Sequence, residues 1–188
     1  MHFEPRRGRG VIAGIFLLLF LAMIARDLRS EVLQTLSGAL SVQFQQAEVV
    51  RESVVLSPQQ ISRASDLAGH RIELRIIRLY KAWRNGALVG TAYFDVHRVR
   101  TLKETLMVVV DPEHRVADIE LLTFMEPVEY IPRERWYGQF VGRKLDRDLH
   151  LHRGIDGVVG ATLTARATSD AVRRILAVHS VLHGVDEP

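Results

Sequence analysis

The stretch Asp156-Gly157-Val158-Val159-Gly160-Ala161-Thr162-Leu163-Thr164 is the part of this sequence best suited to hold a small anion. Its glycines let the backbone turn tightly. It opens onto an amphipathic pattern over Ala165 to His183, in which Thr168, Ala171, Val172, Ile175, Leu176, His179 and Leu182 share one helical face. The first N–H groups of such a helix have no intrahelical acceptor, and the positive end of its dipole points outward. A phosphate placed there is held with little further help. The same residues also read as an ordinary helix entry, with Thr164 as N-cap and Gly160 as the turn. Two histidine pairs, His150/His152 and His179/His183, have spacings that suit a metal. Neither stands beside a carboxylate motif of known spacing, so surface or partly buried histidines are the plainer reading.

Several chemistries are absent. The chain has no cysteine, which removes disulfides, thiolate zinc sites, iron–sulfur clusters and C-x-x-C-H haem attachment together. An electron-handling role would therefore fall to an organic cofactor. There is no G-x-x-x-x-G-K-[ST], no G-x-G-x-x-G and no G-x-S-x-G. Trp83, Trp136, Tyr80 and Tyr93 are scattered, as core fillers are, and do not form a base-stacking platform.

The elements that must position the 156–164 stretch are legible. Ala47 to Leu56 reads as a strand. Ser57-Pro58-Gln59-Gln60 starts a helix that runs to about Leu67 and ends at Gly69, with Ser as N-cap, Pro at the first helical position and Gln three residues on. Arg71 to Trp83 and Ala87 to Val99 flank Asn85-Gly86, a hairpin signal. Leu102 to Val110 and Val116 to Phe124 flank the turn Asp111-Pro112-Glu113-His114. Glu126 to Arg153 is irregular, with a short helix between Arg133 and Phe140. The expected class is α+β: an antiparallel sheet of at least four strands with flanking helices.

At 188 residues, 47% hydrophobic and 25% charged, the chain suits one globular domain plus an appendage. The appendage is N-terminal. Val11 to Ala25 holds fifteen uncharged residues, about 22 Å of helix. Arg9 and Arg26 bracket the run and can snorkel to the interfaces of a bilayer. No small-x-small cleavage site follows closely, so a transmembrane anchor over 11–27 is expected in preference to a cleaved signal peptide. Arg6, Arg7 and Arg9 precede the run, which places residues 1–10 in the cytoplasm and the rest outside, in the periplasm of a bacterium. Residues 28–45 read as a helical stalk, on the spacing of Leu28, Val32, Leu36, Ala39 and Leu40, and 46–188 as the soluble domain. The formal charge is only +3, with no clustered basic face for nucleic acid.

The 156–164 stretch resembles the attachment motif of FMN-binding domains whose flavin is joined by a phosphoester to threonine, Asp-x-x-[Ser/Thr]-Gly-Ala-Thr. Such domains occur in the G subunit of Rnf-type electron-transport complexes, the C subunit of the sodium-pumping NADH:quinone reductase, and the membrane flavoprotein associated with nitrous-oxide reductase. Asp156, Gly160, Ala161 and Thr162 match, and Val159 stands where the motif has Ser or Thr. The similarity extends over about 80–182. Gly86 to Tyr93 resembles a hairpin strand and Leu106 to Pro112 the next strand and turn. Phe124-Met125-Glu126-Pro127 resembles a Glu-containing loop beside the flavin, with Trp136 and Phe140 at aromatic positions after it. The resemblance implies FMN esterified to Thr162, with Asp156, Gly160, Ala161, Leu163, Thr164 and Glu126 around it. It implies an ApbE-type flavin:protein FMN transferase and other membrane redox subunits as partners, and an electron carrier in the bacterial inner membrane. Glu126 either tunes the ring or is a plain surface carboxylate. Asp156 either caps the turn or is read by the transferase. Two other uses remain open: a flavin-dependent reductase of a small periplasmic substrate, and an anchor or assembly protein without flavin.

Overall fold

The computed structural model describes residues 31–185. The apolar run at 11–25, and with it the expected anchor, lies outside the described residues. Among those described, no helix is long and apolar enough to cross a membrane.

Among the described residues six strands, β1 (Glu31–Val32), β2 (Glu48–Val55), β3 (Ile76–Arg84), β4 (Ala87–Arg98), β5 (Lys103–Val110) and β6 (Val116–Phe124), form one antiparallel sheet in the order β1-β6-β5-β4-β3-β2. Five are full-length and β1 is a two-residue edge pairing. The helices are α1 (Leu36–Gln43), α2 (Pro58–Ala68), α3 (Glu134–Tyr137) and α4 (Thr162–His183), with a short 3₁₀ turn at Val128–Tyr130. The α+β class is as expected from the sequence.

Local chemistry accounts for the connections. Asn85 and Gly86 both have positive φ, +53° and +79°, the pair that a two-residue hairpin turn requires. The Ser57 hydroxyl accepts from Gln60 N at 3.2 Å, while Gln60 Oε1 accepts from Ser57 N at 2.9 Å. This reciprocal cap fixes the start of α2, and Gly69 ends it in the left-handed region at φ +77°.

Both faces of the sheet are covered. On one, Leu79, Tyr93, Leu106 and Val108 pack with α2, α4 and the long 125–161 connection. On the other, Ala82, Ala92, Met107 and Val109 meet Ala39, Leu40 and Phe44 of α1 and its C-terminus. Double coverage explains why Leu106 to Val110 is an unbroken buried run where a half-exposed strand would alternate. Gly90 lets Phe44 seat, since a Cβ there would stand 3.2 Å from the Phe44 ring.

Three elements differ from the sequence expectation. The strand expected from Arg71 starts only at Ile76, because Ile72 N donates to Ser65 Oγ and holds the 71–75 segment against the end of α2. The described part of the expected stalk is β1, a connection, and the eight-residue α1 lying on the sheet. Thr35 sets the break: its hydroxyl accepts from Gly38 N and starts α1 there. The last helix begins three residues earlier than its apolar periodicity suggests, at Thr162. Ala161 is its N-cap residue, and Ala165 N donates to Ala161 O to close the first turn. Thr164 is therefore a buried first-turn residue and not the cap.

Candidate functional site

The mouth of α4 is built from the 125–161 connection. Trp136, buried among Tyr137 and Phe140, donates its indole Nε1–H to the Asp156 carbonyl at 2.7 Å, and Asp156 N donates to Gln139 Oε1 at 2.8 Å. These two bonds pin the start of the 156–164 stretch to the short helix α3 and the turn that follows it, while the Asp156 side chain stays exposed. Gly160 follows in the left-handed region at φ +83°, where a residue with a side chain would be strained. Ala161 is buried and Val159 fully exposed.

Thr162 is then the first residue of a 22-residue helix whose N-cap makes no side-chain bond. Its hydroxyl is exposed, with a long contact of 3.5 Å to Val158 O. A hollow of about 300 Å³ surrounds it, lined by Gly160 to Thr164 and, across the gap, by Arg100 and Tyr130. The Arg100 guanidinium lies 5.4 Å over the Tyr130 ring, a cation–π spacing. The site therefore joins three features: an exposed hydroxyl with one long contact, first-turn N–H groups without a side-chain acceptor, and an arginine on the same lining.

Glu126 contributes indirectly. It is buried, and its Oε1 accepts from Thr101 N and Leu102 N at 2.8 Å each and from Arg100 N at 3.2 Å. Burial alone would raise this carboxyl; the backbone donors of Leu102, Thr101 and Arg100 hold it below the usual carboxylate range. Glu126 is thus not the plain surface carboxylate that was one of its two sequence readings: it shapes the β4–β5 turn that carries Arg100. Trp136 and Phe140 are core residues.

Sequence reasoning missed Arg100 and Tyr130. Their only signal is type, a cation and an aromatic in separate loops, because the pairing depends on tertiary contact. It also missed a buried charge network under the second and fourth turns of α4. Arg174 donates from Nε and Nη2 to both Asp95 oxygens at 2.8 and 2.7 Å. His97 Nδ1 lies 2.9 Å from Asp95 Oδ1, and its Nε2 is 3.5 Å from Glu104 Oε2. The Thr168 hydroxyl donates to Glu104 Oε1 at 3.2 Å. Burial alone would raise Asp95, but His97 and Arg174 hold it down at about 2. Burial alone would lower His97, but Asp95 and Glu104 push it up to about 9. His97 and Arg174 also line a groove of about 240 Å³ along α4 that shares Leu163 with the Thr162 hollow.

The histidines of the last helix make no metal centre. His179 is bonded to the Tyr93 hydroxyl through Nδ1 at 2.8 Å and to His114 Nδ1 through Nε2 at 2.9 Å, and the His183 ring stacks on it at 4.2 Å. Burial, with His183 and His114 beside it, pushes His179 down to about 3. Among the described residues no group of His, Asp and Glu could hold a metal ion. His150 and His152 sit in the 148–155 turns, with His152 at φ +65°.

No family model and no curated protein matches the chain.

Proposed function

We propose that this protein is a membrane-anchored, periplasm-facing flavoprotein that carries FMN esterified to Thr162 and passes electrons within a membrane redox chain. The observation that carries this reading is the position of Thr162. The one threonine that matches the attachment motif is exposed at the first residue of an uncapped helix, in a hollow faced by Arg100. The donor set suits a phosphate monoester: N–H groups at the positive end of a long helix dipole and one guanidinium opposite. Bound FMN would supply one- and two-electron chemistry at its ring. The chain's own residues do the holding. Gly160 turns the backbone away, Trp136 and Gln139 fix the approach to the helix, and Glu126 sets the turn that brings Arg100 across.

The electron-carrier reading is preferred to a reductase. The hydrogen-bonded chain Tyr93–His179–His114 offers proton donors, but His179 lies seventeen residues along α4 from Thr162, about 26 Å at 1.5 Å per residue. That distance keeps this chain away from the hydroxyl, and His97, which lines the adjoining groove, is engaged by Asp95 at 2.9 Å and faces Glu104 at 3.5 Å.

Co-expression with an ApbE-type flavin transferase tests the reading. The full chain should give a flavin-fluorescent band on a denaturing gel, and Thr162→Ala should give a dark one. A band still fluorescent in Thr162→Ala, or dark in the parent beside a transferase active on a control substrate, would reject the attachment.

A further inference from the structure

A large cavity lies elsewhere, and strand pairing creates it. The β3–β4 ladder runs from Arg84↔Ala87 to Leu79↔Tyr93 and stops. Beyond that point Ile76 to Arg78 pair only outward, with Val55 to Ser53 of β2. Phe94 to Arg98 likewise pair only with Met107 to Lys103 of β5. The sheet therefore splays at this end, and a cavity of about 720 Å³ occupies the opening.

Its walls are mostly apolar. Ile76, Phe94 and Val96 come from the splayed strands, Leu36 from the start of α1, and Ile175 and Val178 from α4. Leu36, Ile76 and Val96 keep 40%, 60% and 59% of their surface in solvent, an accumulation of exposed aliphatic groups that is costly without a ligand. The volume and lining are those of a small-molecule pocket.

Three arginines and one acid also line it; Arg174 is paired with Asp95, which leaves Arg51 and Arg78. Arg51 on β2 and Arg78 on β3 are both exposed. Arg51 faces Tyr80 across the ladder and Arg78 stands two residues from Tyr80, so the two side chains are diagonal neighbours on one face of the sheet. Neither makes a salt bridge or side-chain hydrogen bond among the described residues. Asp95, the acid on the lining, is engaged with Arg174 and His97, and Glu52, next to Arg51 on β2, with Lys81. An apolar cavity with two uncompensated guanidiniums on its lining is complementary to a ligand that is apolar at one end and anionic at the other.

We propose that the cleft between the splayed ends of β3 and β4 binds an amphipathic anion, an alkyl or prenyl chain ending in a carboxylate or phosphate, with Arg51 and Arg78 holding its head. This site is independent of Thr162 and of the flavin reading.

Photolabelling of the full chain in neutral-lipid nanodiscs tests it, using diazirine-bearing decanoate, decyl phosphate and decanol, with peptide mapping by mass spectrometry. The anionic probes should label residues of the cleft walls, such as Leu36, Ile76, Phe94 and Val96, with saturation. Half-saturation should move at least tenfold higher in Arg51→Gln/Arg78→Gln, while decanol labels the same residues weakly and is indifferent to that change. Preference for decanoate or for decyl phosphate distinguishes a free fatty acid from a phosphate-headed lipid. A second variant, Val96→Trp, fills the opening and should abolish labelling while circular dichroism stays that of the parent. Labelling that does not saturate, that spreads over other surfaces, that is equal for decanol, or that is unchanged in both variants would overturn the proposal.

Discussion

The two ends of α4 are built on opposite plans. The N-terminal end is open: Thr162 and Leu163 are exposed, no side chain caps the helix, and the approach is made of small residues. From Thr168 onward the helix is nearly sealed into the domain. There Arg173, itself buried, donates to the carbonyls of Ala68, Leu67, Asp146 and Leu149, and so stitches α2 and the 146–149 turn to α4. Arg174 does the same for the sheet through Asp95. The difference teaches a division of labour. The interior of the helix carries the stability, which leaves its first turn available for a ligand that the fold does not need.

That contrast makes graded predictions. Asp95→Ala should cost most, about 3–5 kcal/mol, because it strands His97 and Arg174 as buried charges. Arg173→Leu should cost roughly 3 kcal/mol by leaving buried carbonyls without donors. Both are read from urea midpoints, and a change under about 1 kcal/mol in either would break the claim that this half of α4 is the structural one.

The pH dependence separates the groups further. His97 is raised in the fold from 6.5 to about 9, so its contribution is full below pH 6.5 and lost as pH rises through 9. His179 is lowered from 6.5 to about 3, so stability is lost as pH falls below 6.5 and the unfolded chain takes up the proton. Asp95, held at about 2 against 3.8, adds a loss as pH falls through that lower window. Stability should peak near pH 6.5. His179→Phe should make the acid limb between pH 6.5 and 4 shallower, since His70, His150 and His183, each lowered by burial, still contribute to it, and leave the alkaline limb unchanged; a denaturation series across pH checks this.

Smaller effects belong to the open end. Glu126→Gln weakens the charge-assisted bonds to the Arg100 turn and should cost about 1 kcal/mol; it should also reduce flavin attachment in the co-expression assay by loosening Arg100. Thr162→Ala should shift the urea midpoint by less than about 0.5 kcal/mol, since its hydroxyl has only a 3.5 Å contact.

Much of the fold was legible in the sequence because its signals are local. Asn85-Gly86, the Ser57/Gln60 cap and the apolar face of α4 each act within a few residues, and each appears where the sequence puts it. The start of α4 was not legible, because Ala161 caps with its backbone and no side chain marks it. Nor was α1, whose eight residues are held by Phe44 against Gly90 across the sheet. At the site, the motif residues 156–164 could be read directly, but Arg100, Glu126 and Tyr130 belong to separate loops far back along the chain, and only tertiary contact brings them to it. Asp95 and Glu104 look like ordinary strand carboxylates in sequence, and only the strand register brings them to Arg174 and Thr168.

The most direct test of the central claim is mass spectrometry of the peptide spanning Asp156 to Arg166, taken from the mature protein in its own cells. The account predicts a single FMN phosphoester on Thr162. A bare peptide, in a cell whose flavin transferase modifies its other targets, would contradict it.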